Sequence, residues 1–265
     1  MANVKDAASV SSASAEQFTP APTLRSDGLV ALFSTTVFLS AFLLFQVQPM
    51  MGKAILPWFG GTPGVWTTCM LVFQFLLCAG YLYSHLLTSR ISRRKQLSIH
   101  CTLLIVSVVL LRLRPEESWK PVGTASPALQ ILGLLLFTAG LPYFALSTTG
   151  PLLLHWFART RPQTSPHRLY ALSNAGSLLA LLSYPFLVEP TMPLTTQATL
   201  WSIIYGLFCV LCMAAAVASE RMTRAIPSGH PVSTGTTVRP LARIADPLAA
   251  APAGRRKALE DPTKA

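Results

Sequence analysis

The chain contains six long stretches of apolar residues that are almost free of charged side chains. About 20 such residues cover the hydrocarbon core of a bilayer, so each stretch is a candidate membrane span. Helices are indicated rather than barrel strands, because the stretches are continuously apolar instead of alternating between apolar and polar residues. The stretches are 28–47, 65–87, 97–113, 127–157, 169–188 and 197–218.

Composition supports the same class. Hydrophobic residues make up 51% of the chain and charged residues only 12%, about half the charged share of an ordinary soluble domain. The sequence therefore predicts an all-α integral membrane protein of about six transmembrane helices. The third stretch is the shortest and the fourth is too long for a simple crossing. The predicted domains are a disordered polar tail over 1–26, a transmembrane domain over 27–218 and a disordered basic tail over 219–265.

The positions of Lys and Arg predict an orientation. Basic residues crowd into the breaks after spans two, four and six, whereas the break after span one holds only Lys53 and the one after span five holds none. Short positive loops tend to stay in the cytoplasm. The pattern predicts a multi-pass protein of the cell's inner (plasma) membrane with both termini cytoplasmic, and the first 26 residues show no cleavable signal peptide.

The net charge of +11 raises the question of nucleic-acid binding, which the residue pattern does not favour. The arginines of the basic tail lack the interleaved aromatic side chains of a nucleic-acid platform. Anionic lipid of the inner leaflet is the better partner for this charge, and a solvated tail without a partner is the alternative. The lipid bilayer is thus the expected partner, and nucleic acid is not.

The chemistry-bearing residues indicate neither an enzyme nor a metal site. All five cysteines fall within candidate spans, where they behave as small apolar side chains. Metalloprotease and hydrolase motifs such as HExxH and GxSxG are missing from the sequence. We therefore expect no catalytic residue, no metal ligand and no cofactor.

The first informative segment follows span one. Pro49 is expected to end this span, and Thr62 with Pro63 reads as the N-cap and first turn of span two. Gln46 and Gln48 either line a polar cavity or form hydrogen bonds between helices. Lys53 either binds an anion near a helix N-terminus or extends its charge to the membrane interface.

Two further segments carry polar residues inside candidate spans. Pro142 and Pro151 predict a kinked or interrupted fourth helix, and Ser147 and Thr148 lie between them. These hydroxyls either face a ligand or satisfy carbonyls that the prolines leave free.

The fifth span begins with small residues at four-residue spacing, namely Ala171 with Ala175, Ser173 with Ser177 and Gly176 with Ala180, which permit close helix packing. Asn174 lies among them and either bonds across helices or faces a cavity. Glu189, at the end of this span, is the acid on that side, and it either meets a cation or is simply exposed.

Several of these segments also resemble a known family. The chain resembles the membrane half of bacterial spermidine-synthase-like fusion proteins from about Phe38 to Ala218. This resemblance implies part of a major-facilitator-type transporter, which in that family is followed by an aminopropyltransferase-like domain. The motifs that carry it are QPMMGK (48–53), GGTP (60–63), VWTTCM (65–70), LSTTGPLL (146–153), RLYALSNAGS (168–177) and SYP (183–185).

The sequence departs from that family after Ala218, where no glycine-rich strand-turn-helix and no acidic cluster follow. The transferase activity that the resemblance implies is therefore not expected of this chain. Two hypotheses remain. In the first, the bundle binds or passes a small solute, for example a cationic one, through a cavity lined by Gln46, Gln48, Ser147, Thr148 and Asn174, and it works as a homodimer or with a second protein. The alternative is a non-catalytic anchor or assembly subunit for a separate soluble partner such as an aminopropyltransferase-like protein.

Overall fold

The structure, a computed structural model, describes residues 23–121, 126–160 and 167–225. These residues form helices joined by short connections, with no strand among them. Irregular turns divide some helices but leave them continuous, so we number six. They are α1 (Thr23–Phe59), α2 (Pro63–Arg90), α3 (Arg93–Val109), α4 (Pro127–Thr160), α5 (His167–Thr191) and α6 (Leu194–Ala225).

The predicted all-α membrane fold is confirmed. Among the described residues, five helices are long and apolar enough to cross a membrane: α1, α2, α4, α5 and α6. Large apolar side chains cover the outside of the bundle, with Phe75 68% exposed and Phe186 78% exposed. Such an extensive apolar surface is unfavourable in water and is satisfied by lipid.

Helix α3 is the exception in length and composition. It has 17 residues and is not among the five helices long and apolar enough to span. Its buried face is mostly polar, because Gln96, His100 and Ser107 are buried there beside Leu104. Ile105 and Val109 are exposed on its outside. A polar inner face and an apolar outer face suit a helix that lies against lipid, and a sixth span stays a prediction.

Neighbouring helices run in alternating directions. Phe33 near the start of α1 contacts Phe157 near the end of α4, at 5.5 Å between ring centroids. Trp156 also donates a hydrogen bond to Gln96 near the start of α3. The alternation places the arginine-rich ends of α2 and α4 and the start of α3 at one end of the bundle, which we call the arginine end. The connection between α1 and α2 lies at the other end, the loop-one end.

The prediction that Pro49 ends the first span is wrong. Helix α1 continues through Pro49 and Pro57 to Phe59, and only Gly60 to Thr62 separate it from α2. Membrane helices tolerate internal proline because neighbouring groups satisfy the freed carbonyl. Pro63 does open α2 as predicted, with Thr62 in an extended N-cap conformation but without a capping hydrogen bond from its side chain.

The first and last helices extend a few residues into the predicted tails. Helix α1 begins at Thr23 rather than at residue 27. Helix α6 continues to Ala225, beyond residue 218, because its apolar pattern passes without a breaker into a helix-forming polar turn. The remainder of both predicted tails lies outside the described residues.

The fourth helix is irregular, as predicted, but its irregular turn comes before Pro142 and not between Pro142 and Pro151. A π-helical turn over Leu136–Gly140 precedes Pro142, and the helix is α-helical from Leu141 through Pro151 to Thr160. A second π-helical turn, Tyr184–Val188, contains Pro185 in α5. Proline cannot donate its backbone hydrogen bond, and a widened turn accommodates the missing donor.

Helix α5 is held mainly by α1. The buried pair Gly176 and Ala180 faces α1, and a Cβ built on Gly176 would lie 2.6 Å from the carbonyl oxygen of Phe38. The predicted packing role of this small pair is confirmed. Ala171 and Ala175, in contrast, lie on the exposed face of the helix.

Candidate functional site

A cleft of about 510 Å³ opens at the loop-one end between α1, α2 and α5. We call it the mouth cleft. Its walls are mainly apolar, and three polar side chains reach it: Gln48, Lys53 and Glu189. Helix α2 packs against α4 and helix α5 packs against α1, so α2 and α5 stand apart and leave this space. The remaining lining residues are Pro49, Gly52, Leu56, Trp66, Cys69, Met70, Phe73, Leu181, Tyr184 and Pro185.

An ion pair joins two walls of the mouth cleft. Nζ of Lys53 on α1 lies 3.3 Å from a carboxylate oxygen of Glu189 on α5, and the two side chains are 36% and 44% exposed. The Arg112–Glu116 ion pair, in contrast, joins two residues that are only four positions apart in the sequence. A half-exposed pair of this kind contributes only about 0–1 kcal/mol to stability. Either partner can therefore be exchanged for the charge of a ligand at little cost.

The ion pair lies at the depth where membrane proteins carry interfacial aromatic residues. Trp66 forms part of the cleft wall and is 43% exposed. Trp58 follows Lys53 by five residues on α1. Tryptophan concentrates at the head-group level of membranes. The charged part of the cleft is thus near the membrane surface, and its apolar part extends toward the bundle centre.

A second, smaller space of about 150 Å³ lies deeper between α1, α2, α4 and α5. We call it the inner cavity. Hydroxyl and amide side chains supply its polar lining, among them Ser40, Gln74, Tyr81, Ser147 and Ser173, and Gln48 lines it as well as the mouth cleft. Nε2 of Gln48 donates a hydrogen bond to the hydroxyl of Tyr143, at 3.0 Å.

The structure separates the six predicted binding residues into three groups. Lys53 and Gln48 line the mouth cleft, and Gln48 and Ser147 line the inner cavity. Ser147 also donates to the carbonyl oxygens of Phe144 and Leu76. The expected cavity residues thus meet in part, and their role in binding stays a prediction.

Gln46 and Thr148 serve contacts between and within helices. Nε2 of Gln46 donates to Ser183 Oγ at 3.0 Å and to the Ala180 carbonyl at 3.3 Å, which ties α1 to α5. Thr148 is fully buried, and its hydroxyl donates to the Ala145 carbonyl. For Gln46 and Thr148 the structure thus shows hydrogen bonds to protein groups, which was the alternative to lining a cavity.

Asn174 lies on the exposed face of α5 and lines neither space. Asn174 therefore does not share either of these two spaces with Gln48, and its role in binding stays a prediction. Its position one residue from the half-buried Ser173 explains the difference, because adjacent residues on a helix point about 100° apart.

Lys53 lies within α1, which continues past it to Phe59. The anion that it meets is the carboxylate of Glu189. One sequence signal indicates this pair, because Lys53 is the basic residue of the first loop and Glu189 is the acid of the fifth, on the same predicted side. No spacing in the sequence indicates that Tyr143 and Tyr184 belong to the site or which partners they have.

Comparisons with known proteins found no matching family model, no matching curated protein and no matching solved structure.

Proposed function

We propose that this membrane protein binds a small amphiphile in the mouth cleft. The observation that carries the proposal is the combination of apolar walls with the Lys53–Glu189 pair at their outer end. Binding sites for small molecules are typically apolar spaces of about 300–1,000 Å³ with few polar groups, and the cleft falls within that range. The apolar body of the ligand lies between α2 and α5, and its head group meets Lys53 or Glu189.

Crossed substitutions of the ion pair test this proposal. Lys53→Gln frees the Glu189 carboxylate, so we expect octylamine, a cationic probe, to bind more tightly and octanoate, an anionic probe, about fivefold more weakly. Glu189→Gln should have the opposite effect on both probes. The factor corresponds to about 1 kcal/mol for a half-exposed charge pair. Binding of each probe is measured on protein in nanodiscs of zwitterionic lipid, with protein-free nanodiscs subtracted.

Arg112→Gln is the matched control, because it breaks an ion pair of the same 3.3 Å length away from the mouth cleft. It should leave the affinity for both probes unchanged. The crossed effect should also shrink as salt is raised, because salt screens exposed charges. The proposal fails if the two ion-pair variants change both affinities in the same direction, or if neither variant changes them.

We further propose that the bundle sits in the bacterial inner membrane with both termini in the cytoplasm. The clustering of basic connections at the arginine end supports this orientation through the preference of short positive loops for the cytoplasm. The resemblance to the membrane half of spermidine-synthase-like fusion proteins rests on the motifs quoted above. It implies a transporter-like rather than a catalytic role.

A non-catalytic anchor or assembly subunit is the second candidate function. It is favoured by one observation: Gln46 and Thr148, expected in a cavity, are engaged in helix contacts, while α5 exposes Asn174. In this role α5 contacts a second copy of the chain or a separate soluble transferase-like partner. This function is favoured over the first if neither octanoate nor octylamine binds and the purified complex contains a second copy of the chain or a transferase-like protein.

A further inference from the structure

We propose that the mouth cleft and the inner cavity are two halves of one path across the membrane, closed between them by the Gln48–Tyr143 hydrogen bond. This inference rests on the proposed function for its ligand class, a small amphiphile. It adds passage of that ligand to its binding.

The two spaces are stacked end to end along the same helices. On α1 the mouth cleft uses residues 48–56 and the inner cavity uses residues 40–48. On α2 the mouth cleft uses residues 66–73 and the inner cavity uses 74–81. The segment 40–53 of α1, up to Lys53 at the membrane surface, rises about 20 Å at 1.5 Å per residue, which is about two thirds of the roughly 30 Å hydrocarbon core. Together the spaces therefore cover most of a crossing.

Three contacting side chains lie where the two spaces meet, and we assign the partition to them. Gln48 lines both spaces and donates its 3.0 Å hydrogen bond to the hydroxyl of Tyr143. The Tyr143 ring is buried and packs on Phe73, with centroids 4.9 Å apart, and Phe73 is a wall of the mouth cleft. A single neutral hydrogen bond makes only a small net contribution to stability, so the partition can open by rotation of these side chains.

The lining of the inner cavity limits which head groups can follow this path. Its polar groups are hydroxyls and amides, and none of its lining residues is Lys, Arg, Asp or Glu. A head group that leaves the Lys53–Glu189 pair therefore exchanges charge contacts for hydrogen bonds. Unpaired charge is costly at membrane depth. The path thus fits an amphiphile whose head group crosses uncharged, such as a protonated acid or a free amine.

Accessibility of a cysteine in the inner cavity tests the partition without any ligand. Ser173 lines this cavity and is half-buried, so Ser173→Cys places the reporter there. A membrane-impermeant thiol reagent is applied to oriented membrane vesicles from one side at a time, and peptide mass spectrometry locates the label among the native cysteines. We expect labelling at position 173 from the arginine end and not from the loop-one end.

Adding Tyr143→Phe removes the hydroxyl that Gln48 holds and keeps the ring. We expect it to raise labelling of position 173 from the loop-one end at least tenfold. Gln48→Met, which keeps the volume and lacks the donor, should do the same. Tyr83→Phe is the matched control, because the Tyr83 hydroxyl makes no hydrogen bond within the described residues and lines neither space.

Three results would overturn the path: equal labelling from both sides before the partition is changed, no labelling from either side, or no response to Tyr143→Phe and Gln48→Met. Octanoate and octylamine binding, measured separately, keeps the two proposals apart. If the probes bind but labelling of position 173 does not respond to Tyr143→Phe and Gln48→Met, the mouth cleft is a binding site that does not connect to the inner cavity. Gated labelling without probe binding contradicts the proposed ligand and leaves the path in place.

Discussion

Gly176→Ala is expected to destabilise the bundle by about 1–3 kcal/mol, the usual cost of forcing an extra group into a packed interface. The added Cβ would lie 2.6 Å from the Phe38 carbonyl oxygen, so the backbones of α1 and α5 have to separate. Separation also stretches the hydrogen bonds from Gln46 to α5. Thermal unfolding of the detergent-purified protein should show a melting temperature lower by several degrees.

Gly206→Ala on α6 is the matched control. A Cβ at that position meets nothing within 4 Å, and alanine is the better helix former. Its melting temperature should be unchanged or slightly higher. Equal losses for the two variants would mean that the close approach of α1 and α5 does not hold the bundle together.

Gly52→Leu is expected to weaken binding of octanoate and octylamine at least tenfold, or about 1.4 kcal/mol. A Cβ at Gly52 would lie 3.0 and 3.2 Å from two ring carbons of Trp66, and both residues line the mouth cleft. A leucine side chain there either occupies the cleft or pushes the indole into it. Binding is measured in the same nanodiscs, and the melting temperature is followed in parallel.

Gly64→Leu provides the control for this second variant. Gly64 is exposed at the same end of the bundle, and nothing lies within 4 Å of a Cβ built on it. Its binding should match that of the unsubstituted protein. If Gly52→Leu keeps full affinity and folds normally, the ligand does not occupy the mouth cleft.

Much of the fold is predictable from the sequence because membrane helices are specified locally. Long charge-free runs identify α1, α2, α4, α5 and α6, and small residues at four-residue spacing mark the Gly176–Ala180 contact. The length of α1 was harder to predict. Pro49 reads as a helix end by the rules for water-exposed helices, whereas the membrane environment lets the helix continue through it.

The site was less predictable because it depends on distant parts of the chain. Lys53 and Glu189 come together only because α5 packs on α1. The mouth cleft is open because α2 packs on α4 and leaves a space between itself and α5. Asn174 and Ser173 are neighbours in sequence, yet only Ser173 lines a cavity. Which of these two adjacent residues faces inward depends on the rotation of α5 about its own axis. The sequence of α5 does not specify this rotation, because its polar residues do not form one distinct face.

Photolabelling tests the central claim, binding in the mouth cleft, most directly. Octanoate and octylamine analogues that carry a diazirine on the chain are irradiated with the protein in nanodiscs, and the labelled peptides are mapped. The account predicts label on residues 48–56, 66–73 and 181–189, removed by excess unlabelled probe and by Gly52→Leu. Label spread over outward residues such as Val109, Leu129 and Ile203, and not removed by competition, would contradict it.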